Sequence, residues 1–548
     1  MENCYERSDR AASGVDSTRR MGCCVSGETQ IARGGSSALA EPPSPELTQD
    51  VVEPVPADLK RLAAHGALAT TLGQAASLAL RTGSMMILAR LLAPEDFGLV
   101  GMVTAITGAM ALFKEAGLSD ATIQSASVDQ EQLSMLFWIN VGLSCALALL
   151  CAAGAPAVVA FYGEPRLFWI MLAAGTGFVF TGLGTQHRAV LLRSLRIQVL
   201  AIIDFISLVL SIAVSIAMAA SGYGYWALVA GGIILPAGNA AGVWLAGAWV
   251  PSRPRRRSGV RRMLMYGGTV TLNSVVVYLA YNTEKVLLGR FWGAEALGIY
   301  GRAYQLVKMP TDSLHSTFGA VAFPALSRVQ ADPERFRRYF LQIYSFFLSI
   351  ALPITVASAL FANDIVLVFL GPQWIEAVGV FRLLAPTILA FALINPFGWL
   401  LFANGRVARS LKIALLIAPV TILAYVLGLG HGPEGVAVGF SAAMVLLVAP
   451  VVLWAKQDTL ITTRDAFTAV AHPAASVLVG VVVALLSWPW MTTVESPLLR
   501  LAVANSTLFG TYLLTLLFAF GQSQVYVQLL RQTGLWPAWW RRTAARGN

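Results

Sequence analysis

Ionisable side chains set inside otherwise apolar stretches are the residues of this sequence that can do chemistry. In "YNTEKVLLGR", Asn282, Glu284 and Lys285 fall within one helical turn. In "YGRAYQLVKMPTDSLHSTF", Tyr304, Lys308, Asp312 and His315 recur at steps of four, four and three, which puts them on one stripe of a helix. Arg81 interrupts "SLALRTGSMM", Lys114 and Glu115 end another apolar run, and Asp204 is an isolated acid in "AIIDFISLVL". Charges at such positions are costly in hydrocarbon, so they pair with one another or line a pathway. Arg81, Lys114, Lys285 and Lys308 together predict a cavity of net positive lining, shared with Asn282, Glu284, Tyr304, Asp312 and His315. Such a lining suits an anionic headgroup such as a diphosphate, held by charge-assisted hydrogen bonds. Asp204, Glu284 and Asp312 are candidates for proton or cation coupling. The plainer alternative places Glu284, Lys285 and Lys308 in inter-helix salt bridges or lets the lysines snorkel to an interface.

The elements that must position these residues follow from composition. Of 548 residues, 56% are hydrophobic and only 12% charged, with mean hydropathy +0.66. A soluble domain carries about 25% charged residues, so the chain is read as a membrane protein. Five cysteines make no disulfide framework, and Cys4, Cys23 and Cys24 lie in a polar N-terminal segment. That segment, rich in Ser, Gly, Pro and mixed charge, is expected to be a disordered cytoplasmic tail over 1–64. It lacks the apolar stretch and cleavage site of a secretory signal, leaving the first span to act as an uncleaved insertion signal. Within it, "MGCCVS" (Met21 to Ser26) fits a short acylation pattern that chance or a displaced start codon explains more simply.

From residue 66 onward, 14 apolar stretches of roughly 20 residues, each long enough to cross a hydrocarbon core, alternate with short polar breaks. Alternate breaks, with the C-terminal tail, hold 22 Lys and Arg residues, against four (Arg90, Arg166, Arg290 and Arg500) in the opposite set. The positive excess marks the cytoplasmic side, so an even span count with both termini cytoplasmic is expected. The net charge of +10 is thereby topological and requires no nucleic acid. The opposite breaks are too short to build an external active site, which argues against a membrane glycosyltransferase. With no phosphate-binding loop, His-Glu-x-x-His motif or metal-spaced Cys/His set, neither enzymatic activity, cofactor nor metal is expected.

The chain also repeats. "LARLLAPEDFGLVG" (from Leu88) and "LGRFWGAEALGIYG" (from Leu288) match at an offset of 200 in Leu88/Leu288, Arg90/Arg290, Glu95/Glu295, Gly98/Gly298 and Gly101/Gly301. Both copies fall at a break after an odd-numbered span, so the halves share an orientation and relate by an axis along the membrane normal. The expected fold is all-α: two pseudo-symmetric six-helix lobes plus two C-terminal helices. The expected parsing is an N-lobe over 65–250, a basic linker over 251–264, a C-lobe over 265–455, two extra spans over 456–521 and a basic tail over 522–548. Arg81 aligns with Tyr281, one turn before Lys285, and Pro310 is expected to bend its helix. Two parallel lobes around a cleft describe an alternating-access transporter.

The segments Leu88 to Gln124 and Tyr281 to Tyr339, which contain both motif copies, resemble the polysaccharide transporter family of bacterial oligosaccharide flippases, of the colanic acid exporter type. The similarity spans about residues 65 to 520. The larger group includes the multidrug and toxic compound extrusion proteins and the lipid II flippase. The resemblance implies a V-shaped cleft between two six-helix lobes. It implies cargo of the undecaprenyl-diphosphate-linked oligosaccharide class, moved from the cytoplasmic to the periplasmic leaflet of the inner membrane for exopolysaccharide or O-antigen synthesis. It implies a cationic central cavity to which Arg81 is the best match, and places Glu284 where many relatives carry Asp. Expected partners are the lipid-linked oligosaccharide, membrane lipid, a polysaccharide polymerase and a chain-length regulator. A cation-coupled drug antiporter of the same superfamily is the alternative, and four basic cavity candidates disfavour it because they repel cationic drugs.

Overall fold

A computed structural model describes residues 59–114, 130–247, 249–253, 277–278, 280–491 and 493–519. The acylation-like motif, Glu115, most of the basic linker and of the seventh span, and the basic C-terminal tail lie outside the described residues. The side chain of Lys114 does too. Among the described residues the chain is built from helices without strands. In order they are α1 (Leu59–Leu91), α2 (Pro94–Lys114), α3 (Gln130–Tyr162), α4 (Leu167–Arg193), α5 (Ile197–Ala220), α6 (Trp226–Ala246), α7 (Thr283–Arg328), α8 (Pro333–Leu360), α9 (Ala362–Phe369), α10 (Ala377–Leu384), α11 (Pro386–Ala403), α12 (Val407–Gly428), α13 (Gly432–Ala455), α14 (Thr463–Met491) and α15 (Pro497–Leu514).

Ten helical stretches among the described residues are long and apolar enough to cross a membrane, one of them (Val407–Ala455) containing both α12 and α13. Their outer faces carry bulky apolar side chains, with Leu245 at 89% and Leu446 at 74% exposure, as a lipid-facing surface requires. Helix starts follow local chemistry. Pro333, Pro386 and Pro497 open their helices, where a missing N–H costs nothing. The Asp332 carboxylate accepts the Arg335 amide at 3.0 Å and caps α8.

The one residue of non-helical backbone inside α7 is Gly293 (φ 82°, ψ −174°), and the helix runs on unbroken through Pro310. The break therefore belongs to the glycine, which reaches positive φ without a Cβ penalty. Lys285 and Lys308 line one cavity, whereas 23 residues of continuous helix would hold them about 35 Å apart. The arms on either side of Gly293 must fold back alongside each other, as α1 and α2 do around Leu92–Ala93. By the repeat, Gly293 answers Ala93.

Helices α1–α6 form one lobe, in which α3 packs on α4, α4 and α5 on α6, and α1 on α5. Helices α7–α13 form the other, around α7, α11 and α13. The main bridge between lobes is α2 against α7. The two further helices lean on the second lobe. Arg337 of α8 binds Asp465 of α14 at 2.6 and 3.0 Å, and the Tyr512 hydroxyl of α15 donates to the Ser349 carbonyl at 2.7 Å. Arg500 of α15 pairs with Asp364 of α9, whose exposure is 2%.

Candidate functional site

The two copies of the repeat meet each other. A Cβ on Gly98 would fall inside the van der Waals envelope of the Ala294 carbonyl oxygen, and one on Gly298 inside that of Pro94. At the offset of 200, Gly98 answers Gly298 and Pro94 answers Ala294, so one contact is made twice by pseudo-symmetry. Small residues let helix backbones approach this closely, and such approach is a principal source of packing energy where both phases are apolar. Around it, the first lobe is laced to the second. Arg90 donates to the Val368 carbonyl at 2.9 Å, and the Trp374 indole donates to Ala89 at 2.7 Å. Trp374 has no exposure, and its ring meets Phe97 edge-on at 5.4 Å.

All four basic residues of the arginine-poor breaks are engaged within the molecule. Arg90 makes the bond just described, and Arg290 stacks on Phe161 and Phe291. Arg500 pairs with Asp364, and Arg166 binds Glu95 and Glu164. The Arg166 guanidinium, 2.7 Å from Glu164, holds that carboxyl below the ordinary carboxylate range. Two of these contacts, Arg90 to Val368 and Arg290 to Phe161, tie the lobes together at the arginine-poor end.

Beside the contact between the repeats lies a cavity of about 310 Å³ between α2 and both arms of α7. Its lining includes Asn282, Lys285, Tyr304 and Lys308 together with Arg302 and Gln305. The Lys285 ammonium donates to Asn282 Oδ1 at 2.7 Å, which fixes it one turn from the start of α7. Arg302 lies 3.9 Å above the Phe97 ring and bonds Gln305, so its guanidinium is oriented by a cation–π contact and an amide. Lys308 is 3.9 Å from Asp312. Behind this lining Glu284 is 1% exposed, and neither carboxylate oxygen has a hydrogen bond. It stands within electrostatic reach of Lys285, Lys308 and the phenols of Tyr300, Tyr304 and Tyr425.

The remaining candidates lie elsewhere. Asp312 and His315 follow on the same arm towards the arginine-rich end, where the His315 ring stacks on Trp399 of α11 at 5.3 Å. Arg81 lines a separate cavity of about 800 Å³ whose lining among the described residues comes from α1, α4, α5 and α6. Asp204 lies in that same cavity and is not isolated: Arg188 clamps it with two bonds of 2.7 and 2.8 Å. The sequence places Arg81 and Lys285 on equivalent helix faces; in the fold each face turns to different neighbours, because α1 packs on α5 whereas the first arm of α7 packs beside α2. Arg302 and Arg188 are the residues missed. Arg302 had a signal, six positions before Lys308 in the same apolar span; Arg188 read only as a topological charge.

These features can be set against known proteins. The family model described as "Polysaccharide biosynthesis protein" matches residues 87–379. The chain is 27% identical over 297 residues to the teichuronic acid biosynthesis protein TuaB of Bacillus subtilis (strain 168), covering 53% of this chain and 61% of TuaB. It is 25% identical over 370 residues to the lipopolysaccharide biosynthesis protein WzxC of Escherichia coli (strain K12), covering 66% of this chain and 74% of WzxC. The chain thus spans about three fifths to three quarters of these relatives' lengths. In three dimensions it resembles the lipid II flippase MurJ in its inward closed conformation. The TM-score is 0.67 at 13% identity, with 85% of this chain and 99% of that one covered, which is a likeness of fold. With more than half of its length matched by the family model, this all-α membrane chain of transporter fold belongs to the polysaccharide biosynthesis protein family.

Proposed function

We propose that this chain is a flippase, moving a polyprenyl-diphosphate-linked oligosaccharide from the cytoplasmic to the periplasmic leaflet of the bacterial inner membrane by alternating access. The observation that carries the reading is the convergence of Lys285, Arg302 and Lys308 on one cavity beside the contact between the repeats. The transport problem is a hydrophilic glycan that hydrocarbon rejects, joined through a diphosphate to a prenyl chain that hydrocarbon retains. Guanidinium and ammonium donors are the natural partners of the diphosphate. A cleft between lobes lets the glycan pass while the prenyl chain stays in lipid. No covalent bond is made or broken, so no catalytic residue is needed.

By the positive-inside rule the arginine-poor end is periplasmic and both termini are cytoplasmic, and on this reading the paired repeats are the gate on the periplasmic side. The product is delivered for exopolysaccharide or O-antigen synthesis, where a polysaccharide polymerase and a chain-length regulator are the partners that would receive it. The relatives' names, a teichuronic acid and a lipopolysaccharide biosynthesis protein, support this class of cargo.

The test is flipping of a fluorescent undecaprenyl-diphosphate-linked sugar in proteoliposomes. Each charged hydrogen bond contributes about 1.5–3 kcal/mol, so replacing Lys285, Arg302 and Lys308 together by glutamine should slow flipping by at least about 100-fold. Unchanged flipping by a folded triple variant sinks the proposal.

A further inference from the structure

The cavity inside the first lobe is not needed to hold a diphosphate between lobes, and its chemistry differs. At about 800 Å³ it lies within the range of ligand pockets, roughly 300–1,000 Å³. Three observations define its occupant. First, Arg188 is neutralised in place by Asp204, so its guanidinium and that carboxylate present fixed donors and acceptors without net charge. Second, Arg81 has no ion-pair partner among the described residues, which leaves one unmatched positive charge on the α1 wall. Third, Asn239 Oδ1 on the α6 wall is buried and accepts no hydrogen bond. A buried acceptor left unmade costs about 1–3 kcal/mol, and a donor supplied by a ligand recovers it. On the α4 wall the Thr181 and Thr185 hydroxyls give their protons to backbone carbonyls one turn back, at 2.6 and 2.7 Å. With their protons so used, these two lining hydroxyls can serve a ligand only as acceptors.

A ligand that satisfies this wall has many hydroxyl donors and acceptors and one negative charge. Resting on the reading of the cargo as a lipid-linked oligosaccharide, we infer that the first-lobe cavity is a glycan subsite for an acidic sugar, with Arg81 binding the sugar carboxylate and Asn239 accepting a sugar hydroxyl. The diphosphate and the glycan are then recognised at two places, about α7 and within α1–α6 respectively.

The experiment measures equilibrium binding to the full chain in nanodiscs with three probes. These are farnesyl diphosphate, a farnesyl-diphosphate-linked disaccharide ending in glucose, and the same ending in glucuronate. The native protein should bind the glucuronate probe at least about tenfold more tightly than the glucose probe, the size of one charge-assisted contact. Arg81→Gln should bring the two sugars within about twofold while farnesyl diphosphate affinity, the check on folding, stays unchanged; Arg81→Lys should restore part of the preference. Asn239→Leu should weaken both sugar probes and leave farnesyl diphosphate alone. Equal binding of both sugars by the native protein overturns the inference. So does loss of farnesyl diphosphate binding in Arg81→Gln, since Arg81 would then read the diphosphate. Failure of all three probes to bind overturns the flippase reading and the subsite with it.

Discussion

Replacing Gly98 by alanine is the most economical way to ask whether the paired repeats are a gate. The added methyl would overlap the Ala294 carbonyl oxygen, and restoring van der Waals contact requires α2 and α7 to separate by about 1.5 Å. Overpacking of this kind costs about 1–3 kcal/mol. The cost falls only on the conformation in which the repeats touch. The gain in helix propensity from Gly to Ala, about 1 kcal/mol, applies in every conformation and cancels. The closed-to-open ratio at this end should therefore drop by about 5- to 150-fold. In a background lacking the five native cysteines, Gln305→Cys places a reporter in the cavity below the gate. A membrane-impermeant maleimide added from the periplasmic side should label it slowly in the parent and faster, within that range, in the Gly98→Ala chain. Gly298→Ala should act alike, because its Cβ meets Pro94 by the same pseudo-symmetry. Gly83→Ala, whose Cβ meets open space, should leave labelling at the parent rate. Labelling of Gly98→Ala at or below the parent rate refutes the gate.

Two further outcomes follow from the ion pairs. Arg500→Ala strands the carboxylate of Asp364, which is 2% exposed; an uncompensated buried charge costs about 3–5 kcal/mol. Thermal unfolding should show a large loss of Tm, against almost none for Arg335→Ala, whose partner Asp332 lies in an exposed pair. Equal losses would mean that the α9–α15 pair is effectively solvated. At the arginine-poor end, the lowered Glu164 carboxyl contributes stability that is complete above the ordinary Glu value of about 4.3 and is lost only as pH falls through the depressed one. Arg166→Ala should therefore reduce Tm equally at pH 6 and pH 8, and a difference between those values would place the titration elsewhere.

Much of the architecture is legible in the sequence. Span length, the alternation of arginine-rich and arginine-poor breaks and the 200-residue repeat located the helices, and the second repeat's break falls at Gly293. The helix continues through Pro310, since a membrane helix re-satisfies the carbonyl that proline frees, whereas positive φ at Gly293 ends the helical path outright. Site chemistry was half legible. That Lys285, Tyr304 and Lys308 share a helix face is periodicity; that the face meets α2 and gains Arg302 depends on the hairpin at Gly293. The separation of Arg81 from Lys285 is a packing outcome that no spacing encodes, because equivalent faces of repeated helices need not meet equivalent neighbours. Asn239 was invisible for a further reason: an amide in an apolar span reads the same whether its oxygen is bonded or bare.

The division between two cavities has an energetic consequence. The one holding Lys285, Arg302 and Lys308 is built from α2 on one lobe and α7 on the other, so rocking the lobes dismantles it. The described lining of the one holding Arg81 and Asn239 comes from α1, α4, α5 and α6 of a single lobe, and a rigid-body motion leaves that lining intact. A ligand shifts a conformational equilibrium only through unequal affinity for the two states. On the proposed reading, contacts to a diphosphate between lobes would be unequal by construction and would move the equilibrium. Contacts to a sugar at the inferred subsite would be nearly equal in both states and would set only which cargo is held. On this reasoning the diphosphate, common to every such lipid, supplies the coupling, and the glycan, which varies, supplies the selection. Charge removal at Lys285 or Arg302 should then alter gate labelling in the presence of farnesyl diphosphate. Charge removal at Arg81 should leave gate labelling alone while changing which sugar is bound.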